Sequence, residues 1–509
     1  MTESRFKNSI ANISSGIIFN MIILVFNFLS RTIFIRILGD DCLGLNGLFT
    51  SLLSMFSLAE LGIGQAITYY MYKPIAENDE QRLCTLVNFY KLCYRLIGIA
   101  IFVIGLLMIP FFPRLIDLNI SLEYCIIIYI LYLLNTVVTY LFFSYPQTVL
   151  IANQKQFIVN KNQSYFAIIT FITDVLILVY SKNFILYLIG KLVILIFKNI
   201  VLAYKAIKLY PYIKNKSNIH LTLNEIKEMF KDVYAIFVVK LSSQLFNSTD
   251  NIFISALFGT IITGYNSNYL MIINAVYGVI GTIIYSFGAS IGNLYATESI
   301  QKTEDVFSKL NTLNCWVSCI CTVCLFLLLN PFISVFWGEK YVFSTISVAL
   351  MCASFYQVSS LYALFSFRQS MGLFRYCIYT QLIAAIVNIL LDVVLGKAIG
   401  INGIFLATVL ANIFIAIFPY VRNLYVVGFK MSPKACVHMV IKNYCVCIFA
   451  CLAGYVITSN INVSVLGLLF KGVIALIISN IVFILANYKM VRKVYQYLVI
   501  KLKRRYEND

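Results

Sequence analysis

The chain has 509 residues, 61% of them hydrophobic, and its 39 Lys and Arg outnumber 21 Asp and Glu for a net charge of +18. That apolar share exceeds the ~45–50% of a soluble domain, which excludes an ordinary water-soluble fold. The basic excess would suit nucleic acid, but it collects in alternate loops between apolar runs. It therefore reports membrane orientation, and no nucleic acid is expected as a partner.

Apolar runs of about 18 or more residues recur from end to end, each long enough to cross a hydrocarbon core. They predict an all-α polytopic membrane protein with about 14 transmembrane helices. Arg5 and Lys7 precede the first run, which is too long for a signal-peptide core and reads as a retained span. Gly39-Asp40-Asp41-Cys42 joins the first two spans. Lys73, Arg82, Lys155, Lys161, the run from Lys205 to Lys231, Lys302, Lys309 and Arg368 fall in one set of loops, with the basic tail after Lys489. The other set holds little beyond Arg114, Lys182, Lys340 and Lys397. The asymmetry places both termini in the cytoplasm. The outer loops are too short to build an extracytoplasmic catalytic domain.

In the inner loop before span 7, Thr222-Leu-Asn-Glu225 is a capping-box pattern, predicting a short amphipathic helix on the cytoplasmic face. The tail spaces Val491, Val494, Leu498 and Leu502 among Lys and Arg, a pattern for lying on anionic membrane lipid or for binding a partner. Most of the 14 cysteines lie in spans. Cys321 and Cys324 form a C-x-x-C in an apolar helix, read as packing residues. His220 and His438 fall in predicted loops far apart, so no metal or other cofactor is expected.

The chain repeats itself. Thr32-Ile33-Phe34-Ile35 matches Asn251-Ile252-Phe253-Ile254, and Gly44-Leu45-Asn46 matches Gly264-Tyr265-Asn266. Pro110-Phe111 matches Pro331-Phe332, and Tyr140 through Gln147 matches Tyr362 through Gln369. The offsets are 219, 220, 221 and 222, in that order. Spans 1–6 thus map onto spans 7–12, two pseudo-symmetric lobes in the same orientation, with two helices added. The expected boundaries are a six-helix lobe over 1–206, a cytoplasmic amphipathic linker over 207–231, a second lobe over 232–428, two further spans over 429–488 and a basic tail over 489–509. Pro110 and Pro331 predict matched kinks in spans 3 and 9.

Charge inside the membrane is a functional hypothesis by default. The candidates are Arg31, Glu60, Lys91, Arg95, Asp174, Lys191, Lys198, Lys240, Asp250, Asp392 and Lys471. Lys91, Lys198 and Lys471 can snorkel from helix ends, and Asp174 and Asp392 read as paired polar residues. Arg31 and Asp250 occupy equivalent repeat positions with opposite signs, toward the outer ends of their spans. Glu60 and Lys240 lie nearer the inner ends. The pattern suits a hydrated cavity with an outer and an inner gate. The alternative is local pairing of each charge within its own lobe.

The stretches RTIFIRILGDDCLGLNGLFTSLLSMFSLAELGIGQAITYYMYKP, TDNIFISALFGTIITGYNSNYL and SFGASIGNL resemble Wzx-type polysaccharide flippases of Gram-positive bacteria. These are members of the multidrug/oligosaccharidyl-lipid/polysaccharide (MOP) exporter superfamily. The resemblance implies a MATE/MurJ-like fold, a bacterial cell-membrane location, and flipping of an oligosaccharide repeat unit on undecaprenyl pyrophosphate. Polysaccharide polymerase and glycosyltransferases would be its partners. On that reading Arg31, Arg95 and Lys240 suit phosphate, while Asn46, Asn247, Asn251, Asn266 and Asn268 suit sugar hydroxyls. Coupling to H+ or Na+ through Glu60 or Asp250 stays open. The competing readings are a peptidoglycan-precursor flippase, a cation-coupled multidrug exporter, and a membrane glycosyltransferase or polymerase. No P-loop is present to use ATP directly.

Overall fold

The computed structural model describes residues 2–56, 63–112, 121–153, 155–215, 221–285, 287, 291–292, 294–295, 298–373, 378–413, 418–493 and 496. The chain is all-helical and forms two compact units, Met1–Asn268 and Tyr269–Asp509.

The first unit opens with α1 (Thr2–Phe56), which is two spans divided by one residue. Gly39 sits at φ 79° and ψ −170°, a conformation essentially reserved for glycine. Next come α2 (Ile63–Glu77), α3 (Glu80–Met108), α4 (Leu122–Val138), α5 (Ser144–Ala152), α6 (Gln156–Ser181), α7 (Phe184–Leu209) and α8 (Leu223–Phe258). The division between units falls inside α9 (Thr260–Tyr285). The second unit continues with α10 (Ile300–Phe336), α11 (Thr345–Ser359), α12 (Tyr362–Ser370), α13 (Ile378–Ile399), α14 (Ile401–Ala411), α15 (Phe418–Arg422), α16 (Lys434–Thr458) and α17 (Val465–Ala486).

Among the described residues, 11 helices are long and apolar enough to cross a membrane. The expected count of fourteen is not reached, for local reasons. Spans 1 and 2 run together as α1, residues 57–62 and 414–417 lie outside the described set, and the middle of α8 is polar from 240 to 251. The capping box forms as expected, and the helix it starts runs without a break into the predicted span 7, to Phe258. The prolines do not give matched kinks. Pro110 sits in the 3-10 turn Ile109–Phe111 that follows α3, whereas Pro331 lies inside α10. The matched interruption is in spans 4 and 10. A π turn, Thr139–Phe143, separates α4 from α5, and Ser360–Leu361 separate α11 from α12. Cys321 and Cys324 lie within α10, and no group of three metal-ligating side chains occurs among the described residues. His438 is on α16 rather than in a loop, and His220 lies outside the described residues.

The repeat recurs in the punctuation of the chain. Gly39 and Gly259, 220 residues apart, both break the backbone at positive φ. Asp79 and Ser299, also 220 apart, both N-cap a long helix. Ser121 and Ser344 cap α4 and α11. Lys182 and Gly400 take positive φ in the turns α6–α7 and α13–α14. These are the positions where the backbone must leave the helix, so residue chemistry there is constrained even where apolar residues exchange freely.

Each unit has its own core. In the first, Phe34 meets Phe184 edge-on at 5.3 Å and Phe112 meets Tyr129 at 4.7 Å. In the second, Phe307, Phe367, Tyr425 and Phe429 cluster, and a further core joins α10 to the added helices α16 and α17. There Trp316 donates to Asn480 at 3.2 Å and stacks on Phe483. The loop before α8 folds onto α3. Lys91 donates to the Ile213 carbonyl at 2.8 Å, and Arg82 pairs with Glu225.

Candidate functional site

The polar residues of the first unit converge where the second half of α1 meets α8 and α9. Close approach comes first. Gly44 and Gly264, equivalent in the repeat, meet backbone to backbone. A Cβ on Gly44 would lie 2.5 Å from the Thr260 carbonyl oxygen, and one on Gly264 would lie 2.8 Å from the Gly44 nitrogen. Gly47 has the same constraint, with Thr263 O at 3.1 Å. Small residues let helices touch where lipid offers no hydrophobic drive to association.

A chain of neutral hydrogen bonds runs along this contact. Ser54 and Ser248 hydroxyls lie 3.0 Å apart. Asn251 donates its amide to Ser51 Oγ at 2.8 Å, and Asn266 donates to Asn251 Oδ1 at 2.7 Å. All three of Ser51, Asn251 and Asn266 are buried. Asn266 Oδ1 and Asn268 Nδ2 are buried without a hydrogen-bond partner among the described residues.

Arg31 stands about 12 Å along the helix from the Gly39 break. Its Nε donates to Asn268 Oδ1 at 2.8 Å, and its terminal nitrogen donates to Ser267 Oγ, both acceptors being neutral. Ser267 in turn donates to the Gly264 carbonyl at 2.6 Å. Asp250 is half-buried on α8 beside Asn251. Asn46 accepts from the Tyr132 hydroxyl. Arg95 is exposed, at the edge of the lipid-facing stripe Leu92, Leu96, Ile99 and Val103 of α3, and takes no part in this network among the described residues. Lys240 lies on α8, but its side chain, that of Asn247, and all of Glu60 lie outside the described residues.

Sequence reasoning missed the serines. Ser51, Ser54 and Ser248 carry no signature in an apolar helix, and only their partners reveal them. It set aside a second cluster, where Lys191 Nζ lies 3.6 Å from Asp174 Oδ2 and 4.2 Å from the Tyr187 ring centroid. A signal existed. Asp174 and Lys191 flank the α6–α7 turn almost symmetrically, so an antiparallel hairpin brings them together. Asp392 is fully buried in the α13–α14 hairpin, where the Asn388 amide reaches it at 3.3 Å and Thr408 at 3.3 Å. The reading of both aspartates as paired polar residues holds at these contacts.

The fold has known counterparts. The chain has the MurJ/MATE fold. A structure of the lipid II flippase MurJ in an inward closed conformation matches with a TM-score of 0.67 over 94% of this chain and 99% of that one, at 16% identity. An inward-facing multidrug resistance MATE family transporter of the MOP superfamily matches at 0.57 over 83% and 99%, at 14% identity. A mutant of the Vibrio cholerae MATE transporter VcmN matches at 0.57 over 83% and 98%, at 13% identity. No family model and no curated protein matches the sequence. The chain is a multi-pass membrane protein of the fold that these transporters and flippases share.

Proposed function

We propose that this protein flips an oligosaccharide repeat unit on undecaprenyl pyrophosphate from the inner to the outer leaflet of the bacterial cell membrane, by alternating access, for surface polysaccharide synthesis. The observation that carries the reading is Arg31, a guanidinium at membrane depth that donates to Ser267 and Asn268, in a chain that follows the fold of a lipid II flippase along 94% of its length. A planar fork of donors matches phosphate oxygens. The lipid tail stays in the bilayer, so only the headgroup needs a polar path.

On this reading the lobes span 1–206 and 232–428, joined by the linker 207–231, and both termini are cytoplasmic. The Ser51–Asn251–Asn266 knot lies at about the depth of Arg31 and closes the path there; Asn251 and Asn266 take sugar hydroxyls only after it parts. Asp250, with Arg31, senses the arriving diphosphate. Glu60 and Lys240 serve the inner end, and Arg95 receives phosphate early. A proton or sodium gradient drives the cycle through Glu60 or Asp250. Polymerase and glycosyltransferases act on either side, and the protein itself makes no bonds.

The MurJ match covers 94% of this chain and the MATE match 83%, and the fuller likeness supports a lipid-linked substrate over a drug. It also favours one second reading, a peptidoglycan precursor. Depletion of the protein decides. A complete lipid-linked repeat unit should accumulate on the cytoplasmic leaflet while surface polysaccharide disappears, with the glycan identified by mass spectrometry. Accumulated peptidoglycan precursor would select the second reading, and truncated glycan on the lipid would mean that the protein makes bonds.

A further inference from the structure

We infer that Lys191 is a second contact for the substrate diphosphate, acting with Arg31, and that Asp174 and Tyr187 position it. The inference rests on the flippase reading and adds a residue that this reading does not use. Lys191 is the eighth residue of α7, about 10 Å from the predicted outer turn. Arg31 is at a similar depth on α1. The two lie on neighbouring helices, because Tyr187, whose ring lies under the Lys191 ammonium, meets Phe34 of α1 at 5.4 Å, and Phe171 of α6 stacks on Phe26 of α1 at 4.8 Å.

Exposure separates this lysine from a snorkelling one. The Asp174 side chain is 4% accessible, whereas that of Lys191 is 36% accessible. The lipid-facing stripe of α7 is Leu186, Ile189, Val193, Phe197 and Ile200. At about 100° per residue, Lys191 lies on the opposite side of the helix, with Tyr187 one turn away. Its open third therefore faces the protein interior rather than acyl chains, where an ammonium is tolerated only beside water, protein or a ligand. The ammonium carries three donors, and Asp174, at 3.6 Å, pairs with its charge.

The repeat supplies an internal control. In the α13–α14 hairpin, Asp392 stands eight residues before Gly400, as Asp174 stands eight before Lys182. Lys191 stands nine residues after Lys182; nine after Gly400 is Val409, and the eighth residue of α14 is Thr408, so neither count places a cation there. The second hairpin thus buries its aspartate completely with an uncharged residue where the first has lysine. Accommodating the carboxylate does not require a lysine at this place, so Lys191 serves something the second unit does not do.

The test uses the full protein in lipid nanodiscs, with polyprenyl diphosphate and inorganic pyrophosphate as probes. The variant is Lys191→Gln with Asp174→Asn, which removes the charge without stranding a buried carboxylate. Polyprenyl diphosphate should bind the parent, and the double variant should bind it roughly 10- to 100-fold more weakly, the loss of one charged hydrogen bond. Ligand-free melting should be unchanged, and Lys191→Arg should bind within about threefold of the parent because charge is kept. If the double variant melts early, Lys191→Gln alone gives the comparison. Parent-like binding by the uncharged variant overturns the role of Lys191 and leaves the flippase reading standing. A parent that binds no polyprenyl diphosphate overturns both. Binding of inorganic pyrophosphate without the lipid assigns the site to a soluble anion and overturns the inference.

Discussion

Gly44→Ala tests whether α1 and α9 are locked by the backbone contact at the predicted outer end. The added methyl would sit 2.5 Å from the Thr260 carbonyl oxygen and 2.8 Å from its carbon. A carbon–oxygen contact is comfortable from about 3.3 Å, so the helices must part by about 0.8 Å. The obstacle is backbone, and no rotamer change relieves it. Overpacking of this kind costs ~1–3 kcal/mol, while alanine in a helix returns ~0.5–1 kcal/mol. The net, ~0.5–2 kcal/mol, shifts the closed-to-open ratio by about 2- to 30-fold. Cys42, buried two residues away, is a native reporter. With Cys42 as the sole cysteine, a membrane-impermeant maleimide added outside intact cells should label Gly44→Ala and Gly264→Ala faster than the parent. Gly278→Ala, whose added Cβ meets nothing within 4 Å, should label at the parent rate. Parent-like labelling in both substituted proteins would refute the lock. Labelling only from the cytoplasmic side would reverse the orientation inferred from loop charge.

The Ser51–Asn251 bond should show a coupling of ~0.5–1.5 kcal/mol in a double-mutant cycle of Ser51→Ala and Asn251→Ala, read from detergent melting; strictly additive losses would remove it from the packing. At the linker, Glu225 accepts the Thr222 N–H at 2.8 Å and its hydroxyl at 2.9 Å, and meets Arg82. These contacts, the backbone bond first, hold its carboxyl below the usual carboxylate range. The folded value being the lower, its stabilisation is present above the unfolded value of about 4.3 and fades as pH falls through the folded pKa. Glu225→Gln should therefore destabilise near pH 7 and make little difference at strongly acid pH, a small effect at so exposed a site; an equal loss at both would contradict this account.

The fold was legible because membrane spans are written in composition and their order in a repeat. Gly44 and Gly264, paired by sequence alone, prove to be in contact. The prolines misled because a helix accommodates Pro331 in its interior while Pro110 falls just past a helix end. The site was less legible. Asn251 and Asn266 stood out as polar residues in apolar runs, but nothing in the sequence says that they bond to each other rather than face a cavity. Opposite charge at equivalent repeat positions drew attention to Arg31 with Asp250, yet the neutral acceptors Ser267 and Asn268 that hold Arg31 follow only from how α9 packs on α1.

The way each polar group is held argues for a division of labour. Neutral hydrogen bonds between membrane helices average only ~0.6 kcal/mol, because the separated helices find other partners. The serine–asparagine knot can therefore open and close in every cycle at little cost. Asp174 is almost fully buried, so parting it from Lys191, itself about a third accessible, would strand its carboxylate. Asp174 and Lys191, on two helices joined by a tight turn, should stay together while other helices move. A latch built from buried opposite charges would be slow to release, whereas a fixed pair with spare donors is ready to receive phosphate. On this argument the part that opens is the knot at Ser51, Asn251 and Asn266, and the charges at Arg31 and Lys191 belong to the substrate.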